Sequence, residues 1–109
     1  MMKITFQREA CCSQDDQLGP LEIQLEFEED VTLEQVMKDI LRQGFLQYSA
    51  SHNHMVGVAN KRKLVEIQLI QAHIIFHLDK ETRIIDLLDE RRLSFVFIHL
   101  AVKHRRLGL

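Results

Sequence analysis

Cysteine and histidine side chains are the groups in this sequence whose types could do chemistry. Adjacent thiols at Cys11 and Cys12 could bind a soft metal ion, or they could form a strained vicinal disulfide that responds to redox conditions. A structural metal site needs three or four ligands, and the nearest histidines, His52 and His54, belong to a distant segment of the sequence. We therefore interpret the pair as two ordinary cysteines at the end of a strand, one facing the core and one facing solvent.

The histidines are spaced so that some of them could share one surface. His52 and His54 are two residues apart, which places them on one face of an extended segment. His73 and His77 share a face on either a helix or a strand, and they could cluster with His99 if their strands pair. Such a cluster would titrate near neutral pH. Our interpretation is that these histidines lie in a loop and on a solvated sheet face, and we predict no metal site and no cofactor.

Recognised catalytic and phosphate-binding patterns are absent from the sequence. It contains no nucleophile elbow, no Gly-rich phosphate loop, no Cys-x-x-Cys and no His-Glu-x-x-His. We therefore predict that the protein is not an enzyme and has no catalytic residue. One alternative remains open, a small metal- or redox-responsive protein that uses Cys11, Cys12 and the histidines.

Charged residues are the more informative signal. The segment at 22–30 is acidic, whereas the segments at 61–63, 91–92 and 103–106 are basic. Such patches can steer a charged partner toward its docking site. The net charge of -2, and the lack of aromatic side chains beside the basic runs, disfavour nucleic acid as that partner. We predict that another protein binds through Glu22, Glu26, Glu28, Glu29, Asp30, Lys61, Arg62 and Lys63.

A strand that feeds a capped helix is the clearest structural pattern. Apolar and polar residues alternate over 21–28, which predicts a strand. Thr32 and Gln35 then form a capping box, apolar residues recur at helical spacing over 33–43, and Gly44 ends the pattern. The sequence therefore predicts a helix over 33–43.

The other predicted elements complete one domain over 1–102, followed by a basic tail at 103–109. The last strand is apolar on both faces, which is typical of a strand inside a sheet. No apolar run approaches the about 20 residues that a membrane helix needs, and the N-terminus alternates like a strand, so we expect no membrane association and a cytoplasmic location. The predicted elements begin with a strand at 3–9 and include a hairpin of strands at 55–59 and 64–69 around a turn at 60–63. A strand at 73–78 follows, which could also continue the strand before it. The last two elements are a short helix at 81–90, capped by Asp79 or Thr82, and a strand at 93–102.

This order of elements resembles that of ubiquitin-like proteins. The resemblance includes the acidic turn into the capped helix at 30–36 and the close of the domain at 84–98, and the segment at 58–65 is similar to the middle hairpin of the small bacterial YukD-type members. It implies an α+β fold, the β-grasp, with a mixed sheet of four or five strands on one main helix and a short second helix. The chain is longer than ubiquitin and ends in Leu107-Gly108-Leu109 rather than Gly-Gly, so conjugation is not implied.

A ferredoxin-like fold with an extra N-terminal strand is the alternative to the β-grasp. The connection between the first two strands distinguishes the two folds, because it is a hairpin in the β-grasp.

For function, the resemblance implies a non-catalytic protein–protein interaction module that uses a bare sheet face or an open edge. The alternative is an immunity or inhibitor protein that neutralises a toxin through its charged face. If the strand at 73–78 is an open edge, its apolar residues favour pairing with a second copy, and we expect a homodimer.

Overall fold

A mixed sheet and a single α-helix form the fold, which belongs to the α+β class. The computed structural model describes residues 1–11 and 19–98. The sheet has six strands rather than the predicted four or five, in the order β2-β1-β6-β3-β4-β5. The strands are β1 (Met2–Arg8), β2 (Glu22–Phe27), β3 (His54–Ala59), β4 (Arg62–Gln68), β5 (His73–Phe76) and β6 (Arg92–Phe97), and the helix is α1 (Leu33–Gln43).

The second and third strands of the sheet are the parallel pair of β1 and β6, in which Thr5 lies opposite Arg92. All other strand pairs are antiparallel. Glu9 extends the parallel ladder, because its backbone N–H donates to the Phe95 carbonyl at 3.0 Å and its Oε1 accepts from the Phe97 N–H at 2.6 Å. The prediction that the last strand lies inside the sheet is confirmed for the described part of that strand.

Helix α1 has the predicted bounds and the predicted caps. The Thr32 Oγ1 accepts from the Gln35 N–H at 3.3 Å, and the Gln35 Oε1 accepts from the Thr32 N–H at 3.1 Å. Gly44 ends the helix in the left-handed conformation with φ of 68°, which costs glycine little because it has no Cβ. The helix buries an apolar stripe against the sheet, formed by Leu33, Val36, Met37 and Ile40.

The predicted helix at 81–90 is wrong, because only a 3₁₀ turn forms there, over Ile84–Asp86. The preceding segment binds the start of α1 instead: the backbone N–H groups of Leu33 and Glu34 donate to the carbonyls of Thr82 and Lys80, both at 2.9 Å. Those carbonyls satisfy helix donors that have no partner within α1, so they are not free to start a second helix. The turn begins after Arg83, and not after Asp79 or Thr82.

The loops differ from the predictions at their margins. The charged turn contains only Asn60 and Lys61, both with positive φ, which suits a tight two-residue hairpin. Residues 73–76 form a strand of their own that pairs with β4 after a turn at Ala72. The end of the predicted last strand, at 99–102, and the basic tail at 103–109 lie outside the described residues.

Gly57 allows β3, β4 and β6 to pack closely. A Cβ at this position would lie 2.8 Å from Val65 Cγ2 and 3.1 Å from Phe95 Cε1. The strand pairing also shifts register between Gly57 and Val58. Neighbouring strands thus fill the space that any larger residue would need.

We predict that Gly57→Ala lowers the free energy of unfolding by about 1–3 kcal/mol, the usual cost of overpacking a core. Urea unfolding measures this cost. In a Val65→Ala background the clashing methyl is gone, so the same substitution should cost clearly less there. Equal costs in the two backgrounds would contradict the proposed contact.

Candidate functional site

One face of the sheet packs against α1, and no described helix or strand covers the other, which we call the open face. Val56 pairs with Val96 across β3 and β6 and with Glu66 across β4, and Glu66 pairs with Ile75 across β5. Directly opposed residues share a face, so these side chains form one row. Val56 is 7% exposed although it does not belong to the core cluster. Its neighbours on the open face therefore cover it.

The open face carries an apolar strip, which we define as Val56, Val58 and Val96; Ile75 lies in the same row but beyond Glu66. Val58 follows Val56 on the same face of β3 and is half-buried, as is Val96. Ile75 is 37% exposed at the sheet edge. An apolar strip at the centre of a sheet face, with charged residues around it, can cover apolar surface on a partner.

Two of the predicted acidic residues lie on β2 at the margin of the open face, near cations and separated from the strip by β1. Glu22 Oε1 accepts from Gln7 Nε2 at 2.8 Å and lies 3.8 Å from Arg92 Nη1. Glu26 lies opposite Lys3. The acidic strand of the prediction is therefore a mixed-charge margin of the open face.

The acidic turn forms a second surface, which we call the acidic hollow. Glu28 and Asp30 line a shallow hollow of about 450 Å³ together with Glu26 and Asp39, around the apolar side chains of Phe27 and Val31. Glu29 is exposed but does not line it.

Sequence reasoning missed Asp39 as a member of the acidic hollow. It lies four residues after Gln35, which also lines the hollow, and therefore shares a helix face with it. The spacing of these two residues shows that they share a helix face. It predicts that Asp39 joins the acidic hollow only if this face of α1 is known to lie beside the acidic turn.

The predicted basic residues lie apart from the acidic ones. Lys61 is in the β3–β4 turn, and Arg62 and Lys63 begin β4; all three are exposed. Strands are spaced by about 4.8 Å, so the four steps from β2 to β4 separate the two groups by about 19 Å. Lys61 also shares a hollow with Asp89 and Glu90. The predicted partner-binding residues thus lie on separate surfaces and do not form one patch.

Two histidines flank one carboxylate on the open face. His77 Nε2 lies 2.9 Å from Glu66 Oε2, and His54 Nε2 lies 3.7 Å from Glu66 Oε1. The second distance is too long for a hydrogen bond, and the His54 Nε2 is buried without a hydrogen-bond partner. The antiparallel register places both rings diagonally across from Glu66, so sequence spacing alone could not reveal the cluster.

The other candidate groups do not assemble. The His52 ring packs edge-on against Phe97 at 5.5 Å, whereas His54 points to the open face, so the two rings are not together. Cys11 is buried, while Cys12 and His99 lie outside the described residues. Within residues 1–11 and 19–98, no group of three or more His, Cys, Asp or Glu side chains is arranged to hold a metal ion.

In comparisons with known proteins, no family model, no curated protein and no solved structure matches this chain. Among the described residues, no helix has the length and apolar character to cross a membrane.

We predict that Glu66→Ala loosens β5, because its carboxylate accepts the His77 hydrogen bond that links β5 to β4. Loss of one such bond costs about 1 kcal/mol, which corresponds to about fivefold faster amide hydrogen exchange at Ile75 and His77. Gln68→Ala, on the same face of the same strand, is the matched control and should leave both amides unchanged. Unchanged exchange in Glu66→Ala would show that the bond does not hold the edge.

Proposed function

We propose that this chain is a non-catalytic protein-interaction module with the ubiquitin-like β-grasp fold. The fold assignment is supported by the hairpin of β1 and β2, the helix that follows it, and the last strand that pairs in parallel with the first. A ferredoxin-like fold would need a second helix of similar length, and the described residues form only a 3₁₀ turn at its expected position.

The uncovered sheet face is the observation that carries the functional proposal. Val58, Val96 and Ile75 lie there only partly buried, with no described element against them. A docked partner would remove this apolar surface from water, which is favourable by about 25 cal/mol per Å². An apolar centre inside a polar rim is the common anatomy of protein–protein interfaces.

The rim of the open face favours a protein partner. Cations and carboxylates alternate along it, with Lys3 opposite Glu26 and Arg92 near Glu22. Nucleic acid would favour a surface of one positive sign. A mixed rim instead sets the orientation of a partner that has complementary charges of both signs.

We predict that Val96→Arg weakens partner binding without unfolding the protein, since this side chain lies on the open face and outside the core cluster. A charge at the centre of an interface should weaken binding by about 30-fold, the effect of losing a 2 kcal/mol hot spot. Affinity capture with quantitative mass spectrometry, followed by titration of the captured protein, measures the loss.

The matched control is Gln43→Arg, which adds the same side chain at an exposed position near the end of α1. It should capture the same partner as the unmodified protein. Equal capture by Val96→Arg would show that the open face is not the docking surface.

A second candidate function is an inhibitor or immunity protein that binds a basic surface, such as that of a toxin. The acidic hollow favours it, because Glu26, Glu28, Asp30 and Asp39 surround one depression. Of these four carboxylates Asp39 is paired, with Arg42 at 3.0 Å. Glu26 lies opposite Lys3, whereas no ion pair involves Glu28 or Asp30 within the described residues, so these two carboxylates can attract a cationic partner.

The combined variant Glu28→Lys and Asp30→Lys separates the two candidates. If the acidic hollow binds the partner, this variant should slow association at least about tenfold and remove its dependence on salt. Glu81→Lys combined with Glu90→Lys is the charge-matched control away from the hollow. Association that is equally fast and equally salt-dependent in both variants would exclude the hollow.

A further inference from the structure

The two edges of the sheet differ in their protection against strand pairing. The β2 edge carries Glu22 and Glu26, and Glu28 follows immediately after it. Charged side chains of this kind discourage pairing with another chain. The β5 edge has the sequence His-Ile-Ile-Phe, without Lys, Asp, Glu or Pro. The edge at β5 is therefore open and apolar.

The hydrogen bonds of β4 and β5 show which backbone groups of this edge are free. The His77 N–H donates to the Leu64 carbonyl at 2.9 Å. Because the direction of backbone groups alternates along a strand, Ile75 also bonds toward β4, whereas Ile74 and Phe76 direct their N–H and C=O groups away from the sheet. Within the described residues these outward groups have no hydrogen-bond partner.

We propose that β5 pairs antiparallel with β5 of a second copy, around a twofold axis that passes beside Ile75. In this register Ile74 of each copy opposes Phe76 of the other, and each of these two pairs exchanges two backbone hydrogen bonds. The two sheets then continue into one another across the axis. The association does not depend on any partner at the open face.

A second copy fits this edge because the edge is complementary to itself. At the axis Ile75 meets its own equivalent on the open face, so an exposed apolar side chain covers another. Pairing through β2 would instead bring carboxylates from two copies together. On the open face Glu66 separates Ile75 from Val56, so the two Ile75 side chains form an apolar contact of their own at the axis.

The length of the β5 edge limits how tightly two copies are expected to associate. The four-residue strand β5 spans about 13 Å, which is short for an interface of the about 800 Å² per partner that stable complexes bury. We therefore expect reversible association with a dissociation constant above about 1 μM. The link between His77 and Glu66 holds the edge in place before association.

Sedimentation velocity tests the proposal over a concentration series that reaches about 1 mM. The unmodified protein should shift from monomer to dimer, and Ile75→Lys should weaken association at least about tenfold because two lysines would oppose each other at the axis. The control variant Gln24→Lys introduces a lysine on β2, the other edge strand, and should dimerise like the unmodified protein. A monomer throughout the series, or a dimer that Ile75→Lys leaves intact, would overturn the proposal.

Cross-linking tests the register directly. Opposed residues of this type lie about 4.5 Å apart at Cα, within the range that a disulfide spans. Ile75→Cys should therefore form a disulfide between two copies under mild oxidation, identified by peptide mapping as Cys-to-Cys linkage at position 75. Gln24→Cys is the control and should not form the equivalent link. A dimer in which Ile75→Cys does not cross-link would place the interface elsewhere.

Discussion

The parallel pairing of β1 and β6 is the constraint on which the rest of the structure depends. It joins the first and last described strands inside the sheet, with β2 on one side of the pair and β3, β4 and β5 on the other. Parallel neighbours cannot be joined by a tight turn, and here the connection through α1 leads from β2 on one side of the pair to β3 on the other. Phe6 and Phe95 lie on the two strands of the pair and are completely buried, so the pair also belongs to the core.

The start of α1 is the second place where distant segments depend on each other. The carbonyls of Lys80 and Thr82 satisfy the first backbone donors of the helix, and Lys80 Nζ lies 3.2 Å from Glu34 Oε2. Arg83 then pairs with Thr32 in an isolated bridge. The segment before β6 thus serves as a cap for the helix, which explains why its apolar residues reach the core from a 3₁₀ turn rather than from a helix.

Local signals made part of the fold predictable from the sequence, and non-local pairing decided the rest. The bounds of α1 follow from the Thr32–Gln35 capping box and Gly44, which act within a few residues. A strand at 73–78 was predictable from its residues, and β5 confirms it over 73–76. Its separation from β4 and the 3₁₀ turn at 84–86 depend on what the neighbouring segments bond to, which no local pattern reveals. The same limit applies to the candidate sites: Glu28 and Asp30 were predictable as charged surface, whereas Asp39 joins them only through packing.

The sheet presents two surfaces with different physical roles: one face is a core, and the other combines an apolar strip with a rim of both charges. Nuclear magnetic resonance of the labelled protein, titrated with a partner that it captures, tests most directly whether that second face is functional. We expect the largest chemical-shift changes at Val56, Val58 and Val96, with the exposed side of α1 unaffected. Changes confined to Glu28, Asp30 and Asp39, with the apolar strip unchanged, would contradict this account.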